Sequence, residues 1–302
     1  MTRTRFLRIG LAAAFALAAS ASSVLGFTPA TQNVPPGKSM LFRVQAPGGG
    51  ATVYLFGSVH LMNDDAAKLP AVVDSAFAKA RVVAFETSLD TLKMRAAEML
   101  MRAQYRDGAT LRSSLSPAAY ARADSIVKSY GLPIEQLNGF KPWFVSLALT
   151  QLALQRANFR ADLGADMQLN ARAKHQSKTV TSLEPVDFQL GLFDSILPED
   201  QERMLMQTEP PDSAVRALSR ITEIWMSGNT VRLDSLLNSR LSQSRGLFAT
   251  LITNRNRDWV PKIERFAKGS DDVLVVVGAA HLVGKEGVLE MLKAKGYSIE
   301  QM

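Results

Sequence analysis

The 302-residue sequence contains no cysteine, which excludes disulfides, thiolate metal ligands and a lipid attached through a lipobox cysteine. Histidine is scarce as well: the chain has three, His60, His175 and His281, so any site built on imidazole draws on those. Aromatic residues make up 7% of the chain and are not interleaved with basic ones, so the stacking-and-phosphate pattern of a nucleic-acid binder is missing. Beyond the N-terminal stretch, no uncharged apolar run is long enough to cross a bilayer. Hydrophobic residues, by contrast, reach 47%, enough for one large domain with a helical insertion.

Positions 1–26 have the grammar of a secretory signal peptide: Arg3, Arg5 and Arg8, an uncharged Ala-rich run over 9–25, and small residues at Ala19-Ser20-Ala21 or Val24-Leu25-Gly26. Cleavage would lower the formal charge from +7 to +4 by removing those three arginines. The expected address is therefore export, to the periplasm of a bacterium, with no stable membrane span after cleavage. Residues 27–39, with three prolines at 29, 35 and 36, are expected to be extended, and 40–302 to form a single domain.

The pattern that organises this domain is a repeat. Val53-Tyr-Leu-Phe-Gly57-Ser-Val-His60-Leu61 recurs as Val273-Leu-Val-Val-Val-Gly278-Ala-Ala-His281-Leu282. Continuous apolar, β-branched-rich runs bounded by Gly read as buried strands, so each copy sets an imidazole just past the C-terminal end of a strand, where open α/β sheets collect their functional groups. Two further β-like runs, 81–86 and 178–184, end in carboxylates, Glu86 and Glu184. Residues 40–46, a Pro-Gly-Gly-Gly turn at 47–50 and 52–56 read as a hairpin. Helical spacing follows at 72–80, 94–106, 117–130 and 142–158, with Ser116-Pro117 as a helix start. It resumes over 188–244, 247–266 and 285–295, with Gly296 as a C-cap and a last strand at 297–300. The expected fold is α/β: a mixed, partly parallel central sheet flanked by helices, with a mostly helical insertion at about 89–175. The methionines and aromatics of that insertion, Met94, Met99, Met101, Tyr105 and Trp143, fall at helical spacing and are expected to be core residues, in preference to a cofactor box.

Two imidazoles and a carboxylate are the usual ligands of a hydrolytic divalent metal, with a position left for water. His60, Glu86 and His281 are the candidate ligands, and Glu184 is the candidate general base or fourth ligand. His60 and His281 lie towards opposite ends of the chain, so the site requires the first and last sheet segments to be neighbours. Arg255 is a candidate anchor for a substrate carboxylate or a developing oxyanion. His175 lies in a basic polar stretch, 171–178, and is left out.

These residues, taken in order, resemble the TraB/GumN family: Gly57 to His60, Leu69-Pro70, Glu86, Lys141-Pro142-Trp143, Gly164-Ala165-Asp166, Leu183-Glu184, Arg255-Asn256 and Gly278 to His281. The resemblance spans about 41–299. It implies a core related to the erythromycin esterase and haem-binding ChaN-like folds. Through the Tiki relatives it implies peptidase activity with manganese or cobalt and the paired histidines and a glutamate at the metal; the family pattern also implies a site role for Arg255. The expectation is an exported metal-dependent hydrolase, a peptidase first, with a divalent ion (Mn, Co or Zn) and a peptide or small-molecule substrate. Two alternatives stand beside it: a metal-independent, histidine-based esterase, and a non-catalytic periplasmic protein that binds haem or another ligand.

Overall fold

The computed structural model describes residues 37–241 and 243–302, so the expected signal peptide and most of the extended N-terminus lie outside the described residues. Six strands form one mixed sheet: β1 (Leu41–Gln45), β2 (Val53–Ser58), β3 (Val82–Phe85), β4 (Thr179–Ser182), β5 (Val273–Gly278) and β6 (Ser298–Gln301), in the order β4-β3-β5-β2-β1-β6. The four strands β4, β3, β5 and β2 are mutually parallel, while β1 runs antiparallel to both β2 and β6. Helices flank this sheet, which makes it the partly parallel α/β arrangement expected.

The burial of each strand follows its place. Every residue of β2 and β5 is buried, as their uninterrupted apolar runs require of interior strands covered on both faces. β1 alternates in part, and the edge strands β4 and β6 are four residues each and largely open, so the exposed ladder edges are short. β1 and β2 form the expected antiparallel hairpin, with Leu41 opposite Phe56 and Val44 opposite Val53.

The pairing of β2 with β5 settles the geometric question raised by the repeat. Val53 stands opposite Val273 and Ser58 opposite Gly278, in parallel, so the first and last apolar runs are immediate neighbours and end at the same edge. Because β3 and β4 are also parallel to β5, the residues just beyond all four strands emerge on that edge: His60, Glu86, Glu184 and His281.

The crossover from β3 to β4 contains the helices Pro117–Ser129 and Pro142–Arg156. Ser116 caps the first of these, its Oγ accepting the Ala119 N–H at 3.2 Å, with Pro117 in the first turn. A satellite core of Leu111, Ile126, Tyr130, Val145 and Leu149, among others, fills this region, while the other side of Pro142–Arg156, with Trp143 and Leu147, packs on the main core. The crossover then returns through the helix Ala165–His175, which brings Asp166 to the sheet edge. Between β4 and β5 the chain makes further helices. The stretch expected as one helix over 247–266 is divided into a short helix Arg245–Phe248, a π-helical turn Ala249–Thr253 and the helix Asn254–Ala267. Single π turns inside helices recur beside functional sites, and this one ends two residues before Arg255. Among the described residues no helix is long and apolar enough to cross a membrane.

Candidate functional site

A cavity of about 80 Å³ opens at the shared strand edge. Its polar lining includes Ser58, His60, Glu86, Asp166, Arg255 and His281, and its apolar lining includes Leu89, Leu92, Met99, Phe193 and Ile252. Gly278, the last residue of β5, marks the centre. A Cβ placed on it would lie 3.3 Å from Glu86 Oε1, 3.4 Å from His60 Nε2 and 3.7 Å from His281 Cδ2. The three residues expected to act together therefore face one point, and glycine leaves that point open. His175 lies elsewhere, near the end of the helix Ala165–His175.

Each imidazole is held from behind by a different partner. His60 Nδ1–H donates to Asp166 Oδ1 at 3.0 Å. His281 Nδ1–H donates to Asn256 Oδ1 at 2.7 Å, while Asn256 Nδ2 donates to the backbone carbonyls of His281 and Glu286. Since the Asn256 amide nitrogen is spent on carbonyls, its oxygen faces His281, and the Nδ1–H tautomer of that ring follows from the hydrogen bonds alone. His281 Nε2 then accepts from Arg255 Nη1 at 3.0 Å.

Arg255 is the hub, its N–H groups meeting five acceptor atoms. Nε and Nη2 bond Glu184 Oε2 and Oε1 at 3.1 and 2.6 Å, Nη2 also bonds Glu86 Oε2 at 2.6 Å, and Nη1 bonds the Leu251 carbonyl at 3.2 Å as well as His281. The Leu251 carbonyl comes from the π turn, so the turn's irregular backbone completes the guanidinium's shell. A guanidinium has no more donors than these, and this arginine also stacks over Trp259 at 4.7 Å. Sequence reasoning casts Arg255 as an anchor for substrate; its donors are instead all engaged within the protein.

Glu184 is equally saturated. Besides Arg255, Oε1 accepts from Gln189 Nε2 at 2.7 Å and Oε2 from Trp259 Nε1 at 3.0 Å, and Glu184 does not line the cavity. A carboxylate with four engaged lone-pair sites has none left for the proton of an attacking water, so this geometry makes Glu184 a clamp on Arg255. Glu86 does reach the cavity. Its Oε1 accepts the Gly278 N–H at 2.7 Å, and Gln189 Nε2 lies 3.3 Å from Oε2.

The electrostatics separate the two histidines. Burial works against a charge on His60, but the Asp166 carboxylate more than offsets it and raises the pKa to about 9. For His281, burial and the Arg255 guanidinium act together and lower the pKa to about 3. Burial opposes ionisation of Glu86, yet Arg255 first and then both imidazoles hold it well below the usual carboxylate range. Glu86 and Glu184 in turn outweigh burial and raise Arg255.

Set on this geometry, the comparison with known proteins is decisive on kinship. The family model described as TraB/PrgY/gumN matches residues 40–301. The chain belongs to this family. Two relatives are 25% identical over 246 residues, which is 81% of this chain and 89% of theirs: the uncharacterized protein YbaP of Escherichia coli (strain K12) and its namesake in Shigella flexneri. No solved structure matches. The TraB/GumN resemblance read from the ordered motifs is thereby shown, and in the structure most of the members named above meet at one site. Four participants had no role assigned by sequence reasoning: Asp166 and Asn256, quoted only as motif letters, and Gln189 and Trp259. No local pattern marks Gln189 or Trp259. Asp166, Asn256 and Trp259 each act on a group far away along the chain, and Gln189 reaches back from its helix to Glu184, five residues earlier.

Whether the site suits the divalent ion expected of it can be tested on the donors. Among the described residues no three or more His, Cys, Asp or Glu side chains are grouped so that they could hold a metal ion as they stand. The contacts give the reason: Arg255 holds His281 Nε2 and Glu86 Oε2. In charge and anchoring, however, the site fits a cation. Three carboxylates, Asp166, Glu86 and Glu184, stand against one guanidinium in the hydrogen-bonded network, an excess of two negative charges when His60 is neutral. His60 Nε2 and Glu86 Oε1 already face the same point over Gly278, and a carboxylate behind His60 is the usual support for a metal-binding imidazole.

Proposed function

We propose that this chain is a hydrolase, a peptidase first, which works with a divalent cation at the His60–Glu86 side of the cavity. The observation that carries the reading is the approach of His60 Nε2 and Glu86 Oε1 to the Gly278 point, with the edge of the His281 ring beside them, in a buried network that reaches an excess of two negative charges when His60 gives up its proton. His60, through Nε2, and Glu86 would hold the ion, and His281 would join them on release from Arg255. When bound, such an ion lowers the pKa of the attacking water and polarises the carbonyl. Asp166 keeps the His60 ring oriented, Arg255 fixes the Glu86 carboxylate, and the apolar wall of Leu89, Leu92 and Phe193 limits access of bulk water. The basic and then apolar sequence at positions 1–26 supports export, to the periplasm.

A second reading rests on a specific contact. Because Arg255 engages His281 Nε2 at 3.0 Å, the site as it stands also suits a metal-independent hydrolase in which the His60–Asp166 pair is the acid and base. One experiment separates the two: hydrolysis of a peptide mixture, followed by mass spectrometry, in wild type, His60→Ala and His281→Ala, with EDTA and after addition of Mn²⁺, Co²⁺ or Zn²⁺. Loss with chelator and recovery with metal support the first reading. Chelator-resistant cleavage that His60→Ala abolishes supports the second. No cleavage by wild type under any condition removes both and leaves a binding protein.

A further inference from the structure

Ser58, the last residue of β2, is 3% exposed, and its Oγ has no hydrogen-bond partner among the described residues. A handful of other buried polar atoms share that state, Trp143 Nε1, Thr222 Oγ1 and Tyr297 Oη among them, but Ser58 alone of these lines the site cavity. Folded proteins rarely leave a buried hydroxyl unpaired, and an exception in a cleft calls for a partner that arrives from outside. The hydroxyl is also rigidly presented. Ser58 is paired in register with Gly278, and the preceding carbonyl, that of Gly57, accepts the Trp225 Nε1–H at 2.6 Å, so the strand end cannot drift to satisfy it elsewhere. Across the same cavity lie Leu89, Leu92, Met99, Leu192, Phe193 and Ile252.

We infer that Ser58 is a positioning residue for substrate: its hydroxyl donates to a carbonyl oxygen whose neighbouring group is an apolar side chain seated on the leucine, methionine and phenylalanine wall. The inference rests on the hydrolase reading for its setting, and it names the substrate class of that site as a peptide with an aliphatic or aromatic residue beside the bond cleaved. A hydroxyl paired only on binding contributes nothing to the free protein's stability, and its removal is neutral or favourable for folding. A hydroxyl with a structural partner behaves in the opposite way.

The test compares wild type, Ser58→Ala and Ser58→Thr by thermal melting and by cleavage of the peptide mixture. The expected result is that Ser58→Ala melts at or above wild type while kcat/KM falls by about tenfold, chiefly through KM, the scale of one neutral hydrogen bond. Ser58→Thr restores most of it, and the peptides cleaved carry apolar residues beside the cut. A Ser58→Ala protein that melts several degrees lower, or cleaves like wild type, overturns the inference, as does cleavage beside polar residues. Should wild type cleave nothing, the hydrolase reading fails first. Ser58 is then judged by binding: a melting shift produced by peptides rich in Leu and Phe in wild type and lost in Ser58→Ala supports it, and an equal or absent shift overturns it.

Discussion

Replacing Arg255 with Met tests the claim that the site is held together by one buried cation. The side chains of Arg255, Glu86 and Glu184 are 7%, 14% and 5% exposed, so the substitution leaves two carboxylates without their counter-ion in a place water barely reaches. Removing one partner of a buried pair costs about 3–5 kcal/mol. At roughly 2–4 °C per kcal/mol for a domain of this size, Arg255→Met should melt about 6–20 °C below wild type at neutral pH. The sign of the pH dependence follows from Glu86, whose folded value lies below 4.5 chiefly because of Arg255. In wild type this contributes stability that is present above 4.5 and lost as pH falls. In the variant that contribution is absent and burial favours the neutral carboxyl, so the gap between the two proteins should narrow on acidification. Arg255→Lys should recover less than half of the loss, because a point charge cannot reach all the acceptors that the guanidinium fork spans. Combining Arg255→Met with Glu86→Gln and Glu184→Gln should recover most of it. Scanning calorimetry from pH 4 to pH 8 decides the matter: a variant within about 2 °C of wild type at neutral pH, on the same conversion, refutes the reasoning. A triple variant no better than Arg255→Met would place the loss in packing on Trp259 instead of in charge.

Gly278→Ala should fold, since φ of −54° suits alanine, yet lose at least tenfold in Mn²⁺ affinity by titration calorimetry, because its methyl occupies the point 3.3–3.4 Å from Glu86 Oε1 and His60 Nε2. Gly164→Ala meets backbone, with the His60 carbonyl oxygen 2.2 Å and its carbon 2.7 Å from the new Cβ; a sharp drop in soluble yield and helical circular dichroism is expected. In metal-free protein the two histidines act in opposite directions. His281, lowered from 6.5 to about 3, contributes stability that is present above 6.5 and lost as pH falls towards 3. His60, raised from 6.5 to about 9, contributes stability that is full below 6.5 and lost as pH rises towards 9. Melting temperature should therefore peak near pH 6.5, with Asp166→Asn flattening the alkaline limb, and an unchanged alkaline limb in that variant would contradict the assignment.

The parts of this fold that were legible in the sequence are those whose signal is local and apolar. β2 and β5 announce themselves as unbroken hydrophobic runs because both faces are covered, and the glycine that ends each run gives the edge at which the histidines emerge. The 247–266 helix was legible as helical, but its π turn was not, since a register slip of one residue leaves the apolar pattern almost unchanged. The last helix was expected over 285–295 and spans Val288–Lys293. Its start is delayed by Gly287, whose α-carbon packs so closely on the Leu282 and Val283 carbonyls that a Cβ would lie 2.4 and 2.6 Å from them. At the site, the sequence marks which side chains arrive at the edge and is silent on what each one meets there. Glu86 and Glu184 end similar runs, yet β3 adjoins β5 and β4 lies one strand further out, so Glu86 reaches the cavity while Glu184 is met by Arg255, Trp259 and Gln189.

The duplicated Gly-x-x-His motif suggests symmetric roles for its two imidazoles, and the structure argues against symmetry. Both rings use Nδ1 to hold an outer partner and turn Nε2 inward, but one partner is the carboxylate of Asp166 and the other the amide oxygen of Asn256. A carboxylate stabilises the charged ring and a neutral amide does not, and Arg255, which opposes charge on both rings, is in direct contact with His281. Two groups of the same chemistry are thereby pushed to opposite sides of neutrality, one accepting a proton readily and the other refusing it, which is the arrangement acid–base sites depend on. The same asymmetry would order the binding of the proposed cation. On the proposed reading, His60 would give up a proton to bind a divalent ion, whereas His281 would first have to be released by a guanidinium that is also bonded to Glu86, Glu184 and the Leu251 carbonyl. His60 and Glu86 would thus hold the ion first, with His281 kept back by its contact with Arg255.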